Sequence, residues 1–240
     1  MHDKKARLKV THLLIVALLA FAISMLGSCG KSSTVAPSSS TTKMEVINAS
    51  PDIGPVYVII GALKLSSTPF KYAVAPKYIP VFSGEQSTRI ADYNNATLFY
   101  FNDTLKNNSN YSLFVVGLAK ATSHADTLNY IFTPDTDAIP DIGKGKIRFI
   151  NASPRSPGLD VYANGTQAFS NILYKGISKY IQVPAGIYSF KINPTGTPGT
   201  VLTTLSNINV QDGRLYTVFT QGMVGRTDSA AFTAALITNK

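Results

Sequence analysis

Tryptophan is absent, cysteine occurs once and histidine three times in this chain of 240 residues. A single cysteine cannot close an intramolecular disulfide, so whatever folds here is held by packing alone. His2 and His12 stand near the start, which leaves His124 as the one imidazole beyond residue 28. A zinc site of Cys and His ligands cannot be assembled from that inventory. A Ser-His-Asp relay would have only His124, in the polar stretch Ala121–Asp126, where a solvated loop residue is expected rather than a general base. Glutamate is nearly as scarce, with Glu45 and Glu85 alone. The facing carboxylates of a glycosidase would have to come from unpaired acids on separate loops. No enzymatic activity and no cofactor is therefore expected. Without tryptophan the usual sugar platform is missing too. Of the 12 tyrosines, Tyr93, Tyr100, Tyr130, Tyr174 and Tyr180 are expected to pack their rings and leave the hydroxyl at a rim.

Charge is modest. The chain holds 22 Lys+Arg against 13 Asp+Glu, and four of the bases and one acid precede residue 29, leaving 18 against 12. The densest basic stretch beyond residue 28, Lys144-Gly145-Lys146-Ile147-Arg148, is interrupted by Gly and Ile. Nucleic-acid binders gather Lys and Arg on one element, so no nucleic-acid partner is expected.

The first residues read as a leader. Lys4, Lys5, Arg7 and Lys9 form a basic segment, and an uncharged apolar run follows from Leu13 to Leu26. That run falls short of the roughly 20 residues a spanning helix needs and fits a signal-peptide core. Leu26-Gly27-Ser28-Cys29 then looks like a bacterial lipobox. The small residues admit the chain to a peptidase cleft, and the Cys29 thiolate is the nucleophile that accepts diacylglycerol. Two or more acyl chains anchor stably where one does not. Membrane lipid, held through acylated Cys29, is thus an expected partner. The expected location is the cell envelope, at the outer membrane of a Gram-negative bacterium. Ser32 to Thr42 is polar and rich in Ser and Thr, a flexible tether.

Beyond the tether the chain repeats itself. Ile47-Asn-Ala-Ser-Pro51 recurs as Ile150-Asn-Ala-Ser-Pro154, Lys77-Tyr-Ile-Pro-Val81 as Lys179-Tyr-Ile-Gln-Val183, and Tyr111-Ser-Leu-Phe-Val-Val-Gly117 as Tyr216-Thr-Val-Phe-Thr-Gln-Gly222. The offsets are 103, 102 and 105, so the copies differ by small loop changes. Each copy reads as β. Tyr188, Phe190 and Ile192 alternate with Ser189, Lys191 and Asn193, the period of a half-buried strand. Pro184-Ala185-Gly186 separates that run from Tyr180–Val183, which suggests a hairpin. Tyr111–Val116 and Tyr216–Phe219 are apolar on both faces, as central strands would be. Asn107 and Asp212 each precede a tyrosine by four residues, the setting of either a tyrosine corner or an ordinary Asx-turn. The fold class expected is all-β: two tandem immunoglobulin-like β-sandwich domains after a signal peptide and flexible tether. The divisions are 1–28 for the signal peptide, 29–43 for the lipidated cysteine and tether, 44–135 for the first sandwich, 136–145 for a linker and 146–240 for the second.

The repeat resembles a bacterial family known as domain of unknown function 4397. The second copy carries its pattern in Asn151-Ala-Ser-Pro154, Asp160-Val-Tyr162, Asn164-Gly165 and Val183-Pro-Ala-Gly186. The first departs from it, with Pro55-Val-Tyr57 lacking the aspartate and Phe82-Ser-Gly84 at the turn. The resemblance implies a secreted or envelope β-domain, often in tandem, and brings no catalytic residues.

One acidic cluster invites a metal. Asp135, Asp137 and Asp141 lie between the copies and could offer oxygens to Ca²⁺. The stretch lacks the glycine and terminal glutamate of a calcium loop and carries two prolines, so a solvated linker is the main expectation. The function expected is a non-enzymatic adhesion, scaffold or binding module with a protein or glycan partner in the envelope. The alternative is a glycan-binding accessory lipoprotein of a polysaccharide uptake system, favoured if two or three tyrosines lie coplanar and exposed.

Overall fold

Apolar residues at every second position give a strand one dry face; apolar residues at every position need cover on both. Both kinds occur here, and their placement decides the architecture. The computed structural model describes residues 41–239. The leader, Cys29 and the tether as far as residue 40 lie outside the described residues.

The first copy comprises β1 (Lys43–Asn48), β2 (Tyr57–Ile60), β3 (Leu63–Lys64), β4 (Ile79–Pro80), β5 (Gly84–Ala91), β6 (Thr97–Leu105), β7 (Asn110–Val116) and β8 (Asn129–Pro134). The second comprises β9 (Lys144–Asn151), β10 (Leu159–Ala163), β11 (Thr166–Ile172), β12 (Ile181–Pro184), β13 (Gly186–Pro194), β14 (Thr203–Val210), β15 (Leu215–Gln221) and β16 (Thr233–Thr238). Among the described residues the only helical turn is a 3-10 turn at His124–Asp126. Each copy forms two four-stranded sheets of the same order: β4-β1-β7-β8 and β3-β2-β5-β6 in the first, β12-β9-β15-β16 and β11-β10-β13-β14 in the second. The chain is all-β, as two sandwiches. Their architecture is immunoglobulin-like, with a strand order of its own in which β1 runs parallel to β7, and β9 to β15.

Two features at the ends of these sheets explain the repeated tyrosines and glycines. The Tyr111 hydroxyl accepts from the Lys106 amide at 2.8 Å, and Tyr216 accepts from Gln211 at 3.1 Å. Both copies therefore build a tyrosine corner. Asp212 does not close its own turn; it accepts from the Gly143 amide and ties down the connection between the copies. After β7 and after β15 the backbone turns sharply at Gly117 (φ +90°) and Gly222 (φ +75°). A Cβ at these positions would lie 2.2 Å from the Thr127 carbonyl oxygen and 2.1 Å from that of Ala231. Only glycine fits such a close approach.

The hairpin expected at Pro184-Ala185-Gly186 is not formed. β12 pairs with β9, whereas β13 pairs with β10 and β14, so these residues carry the chain from one sheet to the facing one. Val183, Phe190 and Ile192 meet in one core. Their alternation suits strands facing each other across a sandwich as well as strands lying side by side, and so could not separate the two.

The central strands are apolar on both faces because the sandwiches share a face. Along β1 and β7, Met44, Val46, Tyr111, Leu113 and Val115 enter the first core. Ile47, Phe114 and Val116, on the opposite face, pack against Ile150, Phe219 and Ile237 of the second copy. Ile147, Phe149, Tyr216 and Val218 in turn fill the second core. The order is thus four layers, with the β4-β1-β7-β8 and β12-β9-β15-β16 sheets back to back. Phe114 and Phe219, matched positions of the two copies, meet edge to face at 5.2 Å.

Truncating that contact tests the shared face. Phe219→Ala should cost about 3–5 kcal/mol, the range for a large core side chain, read by urea denaturation of the lipid-free chain. A loss below about 1 kcal/mol would mean that the face is not packed as described.

Candidate functional site

The three aspartates between the copies do not converge. After β8 the chain runs back beside β9, and each carboxylate meets a different base of that strand: Asp135 the Arg148 guanidinium, Asp137 the Lys146 ammonium at 2.9 Å, and Asp141 the Lys144 ammonium at 3.0 Å. Lys144, Lys146 and Arg148 point the same way because a strand repeats every two residues. Although slight burial opposes it, the Lys146 bond holds Asp137 below the usual carboxylate range, and the Lys144 bond does the same for Asp141. The expectation of a solvated linker fails at Asp135, which is 2% exposed. It fails because Asp135 lies where the two sheets meet, with the Arg148 charge to answer. Among the described residues, no group of three or more His, Cys, Asp or Glu side chains is placed to hold a metal ion.

Asp135 belongs to a buried polar cluster on the shared face. From the first copy come Glu45 on β1, Tyr78 just before β4, Ser112 on β7 and Asp135; from the second come Arg148 on β9, Tyr180 just before β12, Thr217 on β15 and Asn239. The Tyr78 hydroxyl donates to Asp135 Oδ2 at 2.7 Å. Arg148 Nε donates to Thr217 Oγ1 at 2.8 Å, and Thr217 Oγ1 donates to Asn239 Oδ1 at 2.6 Å. Asn239 Nδ2 reaches Glu45 Oε1 at 3.3 Å, back in the first copy. The Tyr180 ring lies under the Arg148 guanidinium at 4.8 Å, a cation–π contact. Burial pushes the Glu45 carboxyl up to about 7, with Ser112 lowering and Asp135 raising it. Burial also raises Asp135, which Arg148 pulls back, and lifts Tyr180 to about 12.

The repeated Asn-Ala-Ser-Pro motif is equally structural. Asn48 Nδ2 donates to the Gly54 and Phe70 carbonyls at 2.7 and 3.2 Å, and Ser50 Oγ donates to the Gly117 carbonyl at 2.7 Å. Asn151 Nδ2 reaches Ser156 and the Ile172 carbonyl, and Ser153 Oγ the Gly222 carbonyl at 2.6 Å. Ala49 and Ala152 complete the shared apolar face. Asp160 accepts from the Asn171 and Gly196 amides and from Thr195, which holds loops together. His124 is exposed on its 3-10 turn.

An open groove of ≈ 670 Å³ lies beside the β3–β4 connection of the first copy. Phe70, Val74, Pro76 and Ile79 form its walls, and Lys71, Lys77 and Tyr93 also line it. It exists because the copies part company there. β11 runs to Ile172, whereas β3 stops at Lys64 and the chain through Ser66–Pro69 leaves the sheet. Tyr93 is 67% exposed and Tyr100 75%. Tyr130 instead stacks on Phe101 at 3.8 Å, and Tyr174 packs against the shared face.

Residue types alone did not single out Glu45, Ser112, Arg148, Thr217 or Asn239. The available signal was positional: Glu45 and Arg148 precede the two Asn-Ala-Ser-Pro motifs by the same three residues, inside strands otherwise apolar on both faces. Removing one partner of a buried ion pair strands the other charge, at a cost of about 3–5 kcal/mol. Asp135→Ala should lose that much stability in urea denaturation, and Asp141→Ala, at an exposed pair screened by solvent, far less. Equal losses would contradict the burial of Asp135.

A family model for a domain of unknown function, DUF4397, matches residues 42–157 and again residues 145–240. No curated protein matches the sequence. Two matches in tandem agree with the two sandwiches and their common strand order, and the chain belongs to the DUF4397 family.

Proposed function

We propose that the chain is a lipid-anchored, non-enzymatic module of the bacterial cell envelope, held by acylated Cys29 at the outer membrane of a Gram-negative organism and serving as an adhesion, scaffold or binding unit. The carrying observation is what the two copies share. The Asn, Ser, Gly and Tyr repeated between them are consumed in turns, corners and the shared face. Apart from the buried polar cluster on the shared face, the main difference between them is outward-facing, the groove beside the β3–β4 connection. A duplicated framework with one individual groove suits recognition more than chemistry. The basic segment, short apolar run and lone Cys29 support the anchor.

A glycan-binding reading has one observation in its favour. Tyr93 stands exposed in the groove beside Ser66, Thr68, Lys71 and Lys77, and among the described residues no acidic side chain lines it. An aromatic face with cations suits an anionic saccharide chain. No pair of exposed coplanar tyrosines stands among the described ring contacts, so the platform would rest on Tyr93.

The anchor is tested by detergent phase separation of cells expressing the full chain. The wild type should enter the detergent phase, and Cys29→Ser should stay aqueous or unprocessed. Equal partitioning of the two would refute a lipid on Cys29. For the groove, acidic polysaccharides should retard the wild type in affinity electrophoresis and Tyr93→Ala much less. Equal mobility with and without polysaccharide leaves the scaffold reading and removes the glycan one.

A further inference from the structure

The buried cluster has more hydrogen-bond contacts than hydrogens, if both of its carboxyls are ionised. Ser112 Oγ lies 2.8 Å from Glu45 Oε1 and 2.9 Å from each carboxylate oxygen of Asp135. These are hydrogen-bond distances for oxygen pairs. A serine hydroxyl carries one proton, and an ionised carboxylate carries none. The serine can satisfy one acid; its other contact would then press lone pairs together in a site without solvent. One more proton is needed.

Its place follows from the remaining partners. Asp135 takes the Arg148 guanidinium and the Tyr78 hydroxyl, both donors that favour a carboxylate. Glu45 receives the Asn239 amide besides the serine, at 3.3 Å, and faces the Tyr78 hydroxyl, whose one hydrogen goes to Asp135; no cation bonds it. Arg148 and Asp135 already neutralise each other, so an ionised Glu45 would leave a net negative charge on a buried face. With the proton on Glu45, its Oε1–H donates to Ser112 Oγ, and the serine hydroxyl donates to Asp135. Each acid then shares a hydrogen with the serine, the one to Asp135 being divided between its two oxygens.

We propose that Glu45 is a protonated carboxylic acid in the folded protein, and that this proton is a structural part of the joint between the two copies, which weakens as the pH rises. The groups facing it are Tyr78 from the approach to β4, Ser112 from β7, Asp135 after β8, Arg148 from β9, Thr217 from β15 and Asn239 after β16. Tyr180 covers Arg148 from the far side. The elevation of the carboxyl to about 7 by burial agrees with this arrangement. A carboxyl raised on folding stabilises the fold fully below its unfolded value, near 4.3, and loses that contribution as pH climbs through about 7. The joint is therefore tightest in mild acid and loosest in alkali.

Glu45 and Glu85 are the only glutamates of the chain, and Glu85 is exposed. Glutamate labelled with ¹³C at the side-chain carboxyl gives two signals to follow by NMR in the lipid-free protein. One should ionise in the ordinary range and the other should still be protonated at about pH 6. Both signals ionised by that pH would overturn the proposal. Glu45→Gln supplies a permanent neutral donor to Ser112. Between about pH 5 and pH 9 the folding equilibrium constant of the wild type should fall on the order of a hundredfold, and that of Glu45→Gln far less. Parallel pH profiles for the two would equally contradict it, and should the variant not fold, the carboxyl signals of the wild type decide alone.

Discussion

Four strands of this protein, β1, β7, β9 and β15, have no wet face, and most of the structure follows from that constraint. A four-stranded sheet with one apolar side can close a sandwich and leave the other side to water. Here Ile47, Phe114 and Val116 make the second side of β1 and β7 apolar as well. Leaving that surface in water would forgo about 25 cal/mol for each Å² it could bury. The matching surface is supplied by the same positions of the other copy, Ile150 and Phe219 among them. Duplication thus solves a burial problem that one unit alone would carry as an exposed apolar patch.

Because each copy offers the same sheet and largely the same positions, the contact has the logic of an isologous interface, in which a patch meets its own equivalent. Phe114 against Phe219 is one such pairing. Strict symmetry would set like against like in the polar part too: acid against acid, or base against base. Covalent duplication releases that restriction. Glu45 and Arg148 are matched positions by strand register, Glu45 opposite Ser112 and Arg148 opposite Thr217. Likewise Asp135 and Asn239 each follow the last strand of their copy. One copy contributes two acids and the other a guanidinium and an amide, so the joint gains an ion pair and a fixed direction. The buried pair adds little net stability over a well-packed apolar contact, but an arrangement of the two sheets that separated Asp135 from Arg148 would leave a buried charge unpaired.

Much of this was legible in the sequence because its cause is local. Alternation in Tyr188–Ile192 fixes a strand, the two-faced runs at Tyr111 and Tyr216 fix central strands, and the repeated motifs fix the duplication. The tyrosine corners were open between two readings, since an Asn or Asp four residues upstream serves either, and hydroxyl geometry decided between them. What escaped was relational. Alternation cannot tell a neighbour within a sheet from a partner across the core, so the Pro184–Gly186 segment looked like a hairpin. Hydropathy cannot tell that the second apolar face of β7 meets β15, nor that Asp135, in an acidic and proline-bearing stretch, is covered by it. The groove was invisible for another reason: it depends on β3 ending early, an absence of pairing that no residue announces.

If the shared face carries this much, the two sandwiches cannot melt separately. Independent domains of about a hundred residues would each unfold with roughly 70 kcal/mol of enthalpy, one cooperative body with about twice that. Differential scanning calorimetry of the lipid-free chain in mild acid measures this directly. The account predicts a single endotherm whose calorimetric and van't Hoff enthalpies agree. Two resolved transitions, or a calorimetric enthalpy about twice the van't Hoff value, would show that the copies are separate domains on a linker and would contradict it.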